Sequence, residues 1–227
     1  MSQYKKNEMS ICGSDYDETE ESDVAEVDRY LIKASENGHA KVVQLLIKNV
    51  VNIDAVDHHG NTSLMLASGR DNIEIVKILL QHGADVNIIT ENSCTPLMRA
   101  NSLELAKLLI ENGANVNAIS EFGETPLIHA CKDGNVEISK LLIENGANIN
   151  IITKSDRTAL VWACLNYKKE LVGLLIKNGA DVNSIKKFND DNPLEIRKKI
   201  YDSVINNDKI VICKLCGKKR TKNKILH

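Results

Sequence analysis

Aromatic residues fill only 4% of the 227 positions, and proline occurs 3 times. Such scarcity argues against a single core organised around large rings, since aromatic side chains dominate cores of that kind by area. No apolar run approaches the roughly 18 residues a membrane helix needs, so no span and no membrane partner are expected. The opening Met1-Ser2-Gln3-Tyr4-Lys5-Lys6 is not followed by an apolar stretch, and no secretory signal is read there. Also missing are a glycine-rich phosphate loop, a His-Glu-x-x-His pair and a serine on a strand-to-helix elbow. Without any of these the chain is expected not to be an enzyme. Charge is nearly balanced, at −2, and no basic stripe interleaved with aromatics runs through the middle of the chain, so nucleic acid is not expected as the main partner.

What is present is repetition. Gly83-Ala84-Asp85-Val86-Asn87 returns at Gly113 to Asn117, Gly146 to Asn150 and Gly179 to Asn183. Ahead of each copy stand Thr62-Ser63-Leu64, Thr95-Pro96-Leu97, Thr125-Pro126-Leu127 and Thr158-Ala159-Leu160, so the threonines step by 33, 30 and 33 residues. A fixed period of this length means stacked units. Within residues 57–89, Gly60 serves a turn and the Thr62 hydroxyl caps a short helix A carrying Leu64, Ala67 and Ser68. Pro96 and Pro126 suit the first helical position, where no N–H is needed. Ile73, Val76, Ile78, Leu79 and Leu80 repeat near 3.6 residues and mark helix B, which Gly83 ends in left-handed backbone. One such pair cannot bury both its faces, so the units share a continuous core.

The Thr-Pro-Leu…Ala…Leu-Leu…Gly-Ala-Asp-Val-Asn run resembles the ankyrin repeat. The resemblance implies an all-α solenoid of helix-turn-helix units with protruding β-turn fingers. Units fall at 57–89, 90–119, 120–152 and 153–185, with a degenerate N-terminal capping repeat at 25–56. There Leu31, Ile32 and Ala34 suit helix A, and Val42, Val43, Leu45, Leu46 and Ile47 suit helix B. Val50 replaces the capping glycine, so that helix is expected to end differently. Asn192-Pro193-Leu194 with Ile196, Ile200, Val204 and Ile205 predicts a C-terminal capping helix over 186–205. Residues 90–119 lack three positions between Ala100 and Leu103 and carry Ser93 at the turn glycine. Two defects in one unit, each on the order of a kcal/mol, mark a weak point; the alternative is a notch opened for a ligand.

Residues 1–24 are acidic and poor in apolar groups, and a disordered tail is expected. Its Asp15-x-Asp17 start fails as a calcium loop, because Glu20 stands at the sixth position, where glycine is required. The 206–227 tail is basic, and Lys218-Lys219-Arg220-Thr221-Lys222 reads either as a nuclear import tag or as a solubilising end. Cys213-Lys214-Leu215-Cys216-Gly217 resembles one knuckle of a zinc ribbon. Cys213 and Cys216 supply two of four ligands, so a zinc cofactor would need others, and a plain thiol pair is the alternative. Cys131 and Cys164 share one repeat slot with Ser68, which indicates packing and a reducing compartment. The cytoplasm is expected, or the nucleus if the basic tail is an import tag.

The resemblance implies recognition of a protein partner, by a monomer, through finger tips and the exposed ends of the A helices. Carried over position by position, these are His58, His59, Asn61, Glu91, Asn92, Cys94, Glu121, Phe122, Glu124, Lys154, Ser155 and Arg157 on the fingers, with Arg70, Lys132, Asp133, Leu165 and Asn166 on the helix ends. Phe122 is the expected anchor, with folding back on the neighbouring finger as the alternative. Glu91, Glu121 and Glu124 against Lys154 and Arg157 imply a surface whose charge changes sign along the row. His58 and His59, adjacent in sequence, are expected to diverge. His129 and Trp162 hold equivalent positions on successive A helices, which packing between units explains. Asn87, Asn117, Asn150 and Asn183 are expected to satisfy backbone groups in the turns. Two alternatives remain beside the binding module. One is a ubiquitin-ligase adaptor, from a weak F-box-like resemblance over Asn192 to Ile200; the other is a zinc or redox role for the cysteine tail.

Overall fold

The computed structural model describes residues 18–49, 52–89 and 94–185, with side chains from residue 26 onward. Nine α-helices are defined among the described residues: α1 Glu18–Glu36, α2 Ala40–Ile47, α3 Ser63–Gly69, α4 Ile73–Gln81, α5 Leu103–Glu111, α6 Pro126–Asp133, α7 Val136–Glu144, α8 Ala159–Leu165 and α9 Lys169–Lys177. A 310 turn, Pro96–Arg99, replaces helix A in the short unit. Three missing residues leave too little chain for a full α-helical turn there, and the tighter spiral uses what remains.

Local chemistry starts and stops these elements as expected. The hydroxyls of Thr62, Thr95, Thr125 and Thr158 accept from the amides of Met65, Met98, Ile128 and Val161, so every complete unit opens on the same cap. Gly83, Gly113, Gly146 and Gly179 follow the B helices at φ between 83° and 93°, the left-handed stop. The A elements stack α1 on α3, α3 on the 310 turn, that turn on α6, and α6 on α8. Behind them the B helices pack α2 on α4, α5 on α7 and α7 on α9, with α4 and α5 the pair less closely joined. Leu64, Leu79, Leu105, Leu109, Leu127, Leu142, Leu160 and Leu171 lie in one uninterrupted apolar core along the stack. No regular strand occurs among the described residues; the first finger closes on an isolated Val56–Thr62 bridge.

Two rows of asparagines tie the units together. Asn87, Asn117 and Asn150 each reach forward, donating to the carbonyl of Gly113, Gly146 and Gly179 at 2.9, 3.0 and 3.2 Å. Their carbonyl oxygens accept from the amides of Asn115, Asn148 and Asp181 at 2.7, 2.7 and 2.8 Å. The backbone groups they satisfy thus belong to the following unit. At the first junction Asp54 stands in this position and retains only the accepting half, from the amide of Asp85. A second row joins the A-to-B links: Asn101, Asn135 and Asn166 donate to the carbonyls of Gly69, Asn101 and Lys132.

Residues 18–24, expected to be disordered, form the first turns of α1. α1 therefore begins 12 residues ahead of the position equivalent to Ser63, the start of α3, one 33-residue period on. The remaining acidic tail, Val50, Ser93, the 186–205 helix with its F-box-like stretch, and the tail with Cys213 and Cys216 lie outside the described residues.

Candidate interaction surface

Among the described residues, the first, third and fourth fingers are short hairpins closed by their own backbone. The amides of Asp57, Ser120 and Thr153 donate to the carbonyls of Asn61, Glu124 and Arg157. In the first, the Asp57 carboxylate accepts from the amides of His59 and Asn61, both at 2.8 Å. Burial raises the Asp57 pKa, but the bonds from Asn61 and His59 outweigh it and hold the group below its ordinary value. The third and fourth fingers join through the Phe122 carbonyl, which accepts from the Lys154 amide at 3.0 Å.

Several expected contact residues are exposed. His58, His59, Glu121, Phe122, Lys154, Ser155, Arg70 and Asp133 face solvent, while Cys94, Lys132, Arg157, Leu165 and Asn166 are half-buried. Phe122 keeps 59% of its surface accessible, so its ring does not fold back although its main chain does pair with the next finger. Glu91 and Asn92 lie outside the described residues.

Three expectations need correction. Asn61 is buried; its amide donates to Asp57 and its carbonyl accepts from Arg99 at 2.6 Å, so it braces the finger and has no surface to offer. Glu124 is not a free acid on the finger row. Lys132 lies 3.0 Å from it and the side chain is only 14% exposed, which leaves Glu121 as the exposed acid of that finger. His58 and His59 do not diverge: their ring centroids are 3.8 Å apart. Even so, no group of three or more His, Cys, Asp or Glu able to hold a metal occurs among the described residues.

One helical turn inside the A elements lies a column in which the sequence points to His129 and Trp162 as packing between units but not to Arg99. Leu66, Arg99, His129 and Trp162 occupy one repeat position, and the last three form a polar seam. His129 Nε2 lies 3.1 Å from Glu124 Oε2, without hydrogen-bond alignment. Burial lowers the His129 pKa and outweighs the attraction of Glu124, whose carboxylate Lys132 already engages. Beside it two cations lie over the Trp162 ring, Lys132 Nζ 5.1 Å and Arg157 Cζ 4.6 Å from its centroid. Its indole nitrogen is buried without a protein acceptor. The repeat column itself was the available signal, since three of its four residues are unsuited to a plain apolar contact.

A second column went unread altogether. Val56, Ile89, Ile119 and Ile152 recur at the step of the repeat, two residues after Asp54, Asn87, Asn117 and Asn150. All four are between 51% and 55% exposed. Ala118 and Ser120 on either side of Ile119 are buried, so strand-like alternation turns the aliphatic residue outward. Val56 also lines a cleft of about 560 Å³ with Ile32, Lys33 and Glu36 of α1 and His58. No helix among the described residues is long and apolar enough to cross a membrane.

Comparison with known proteins agrees with this architecture. The family described as ankyrin repeats in three copies matches residues 11–90, 31–120 and 97–186. The mouse B-cell lymphoma 3 protein homolog is 39% identical over 72 residues, 32% of this chain and 16% of that protein. The Arabidopsis thaliana potassium channel AKT2/3 is 38% identical over 68 residues, 30% of this chain and 8% of the channel. Putative ankyrin repeat protein L289 of Acanthamoeba polyphaga mimivirus is 47% identical over 60 residues, 25% of this chain and 11% of that protein. The chain therefore matches only a small part of the length of these relatives. With the family matched over most of the sequence and its caps, turns and stacking all present, the chain belongs to the ankyrin repeat family.

Proposed function

We propose that this chain is a non-enzymatic binding module that receives an extended segment of a partner protein along its finger row. The column of Val56, Ile89, Ile119 and Ile152 carries the reading. Isolated exposed aliphatics are ordinary, but four at one repeat position form a line of apolar stations. Packed helices sit about 8–10 Å apart, so the stations recur at about that interval. A polyproline-type strand rises about 3.1 Å per residue and presents every third side chain on one side, about 9 Å apart. An apolar residue at every third position of the partner therefore meets one station per unit. Phe122 supplies an aromatic anchor beside Ile119, and Lys154 and Arg157 favour acidic residues toward one end.

The test uses fluorescent peptides of about ten to twelve residues with identical composition, the same leucines (about four) being spaced three positions apart in one and two apart in the other. The third-position series is expected to bind at least about tenfold tighter. Ile119→Asp and the double variant Phe122→Ala/Arg157→Glu should each reduce that binding, with circular dichroism unchanged. Equal binding of both registers, or full binding by Ile119→Asp, would contradict the proposal.

A further inference from the structure

A different surface, at the N-terminal end of the stack, leaves apolar side chains uncovered. In every inner unit, the residue that begins the buried stripe of helix B is sealed off: Ile75, Leu105, Ile138 and Leu171 are at most 2% exposed. Their equivalent in the first unit, Val42, is 43% exposed, and Leu45, equivalent to the buried Ile78, is 63% exposed. Tyr30 on α1 is likewise half exposed, where its equivalent Ser63 is buried. Between Tyr30 and Val42 is a cleft of about 250 Å³ lined by these two with Ala34 and Leu46, and by the polar Lys33, Asn37 and His39. The face that each inner unit presents to its predecessor is thus open here.

Two observations decide what covers it. First, the turn side of this unit is already closed. The amide of Asn52, equivalent to those of Asp85, Asn115, Asn148 and Asp181, donates at 2.8 Å to Asp28 on the extended part of α1. Asp28 fills the place that an in-register unit would bring, so only the helix face remains for an occupant. Second, the charge at its edge is reversed. Where α4, α5, α7 and α9 carry Glu74, Glu104, Glu137 and Glu170 in their first turn, α2 carries Lys41. At the junction of units 57–89 and 90–119 this position faces the preceding unit, because Glu104 pairs with Lys77 at 3.6 Å. Lys41 and Lys48 flank Leu45 at helical spacing, and the neighbouring acid Glu26 is engaged by Arg29 and the Tyr30 hydroxyl.

We infer that this end docks an amphipathic α-helix of a partner protein, apolar residues one turn apart entering the Tyr30–Val42–Leu45 face and acidic residues meeting Lys41 and Lys48. This is helix-in-groove recognition with a defined charge preference.

The experiment pans a displayed library of helical peptides against the full chain, with leucine fixed at helical spacing and Glu, Lys, Gln or Ala elsewhere. Enrichment of Glu beside the leucines is expected. The selected peptides should lose at least about tenfold in affinity toward Leu45→Asp, while Lys41→Glu should shift selection toward Lys. Leu45 is exposed, so Leu45→Asp should leave the thermal midpoint unchanged, which separates lost docking from lost folding. Failure to enrich binders, enrichment of basic or neutral helices, or binders indifferent to Leu45→Asp would overturn the inference. So would a wild-type dimer dissociated by Leu45→Asp, which would make a second copy the occupant. Binding that appears only after residues 2–17 are deleted would assign the face to the chain's own N-terminal segment and overturn it equally.

Discussion

At residue scale, burial sets the chemistry of the side chains that look most reactive in the sequence. Cys131 is fully buried, and the loss of water pushes its thiol up to about 12, against a small opposing effect of the Ser139 hydroxyl at 3.8 Å. Cys164 is buried in the same slot one unit on, whereas Cys94 is half-buried. Mass-mapped labelling of the native protein with iodoacetamide at neutral pH should therefore modify Cys94 and leave Cys131 and Cys164 unmodified until denaturant is added. Rapid native labelling of Cys131 would contradict its place in the core. His129 gives a pH signature. Its folded pKa is lowered from 6.5, so the unfolded chain binds a proton more readily. Its contribution is fully present above about pH 6.5 and declines as the medium is acidified toward the folded pKa. His129→Gln should flatten the loss of urea stability between about pH 7 and pH 5.5, and an unchanged slope would refute this.

At the scale of elements, the caps and stops were legible because they depend on chemistry within a few residues: a threonine hydroxyl three positions from an amide, a glycine where φ turns positive. The shortening of 90–119 was legible too, as a deletion against the period. What it becomes, a 310 turn with the looser α4–α5 junction, follows from the tertiary fit of that turn. Deuterium exchange should show Leu97–Ala100 and α5 opening before α6 and α7. Simultaneous exchange of all units would show that the stack does not open locally there. The pairing of Glu124 with Lys132 and the burial of Asn61 were not legible, because they depend on the angle at which a finger meets the next A helix. Nor was the part played by Asp28, since an acid upstream of the repeats reads equally well as solvated tail.

At the scale of the whole molecule, the asparagine row is the test of how far the units depend on one another. Asn117→Ala removes a donor to Gly146 and an acceptor for Asn148 together, and should cost about 1–2 kcal/mol by denaturant titration. Asn183 bonds only to Asp181 among the described residues, so Asn183→Ala should cost less than about 0.5 kcal/mol. Equal losses would show that the forward links add nothing to the turn itself. The short unit has a mechanical consequence for recognition. The sparsely packed α4–α5 junction divides the aliphatic stations into two pairs, Val56 with Ile89 and Ile119 with Ile152. On the proposed binding mode, a short segment would engage either pair without regard to the angle between them, whereas one long enough to bridge the junction would fix that angle and meet elastic resistance in doing so. Affinity should therefore climb with segment length in two steps, the second smaller than the first.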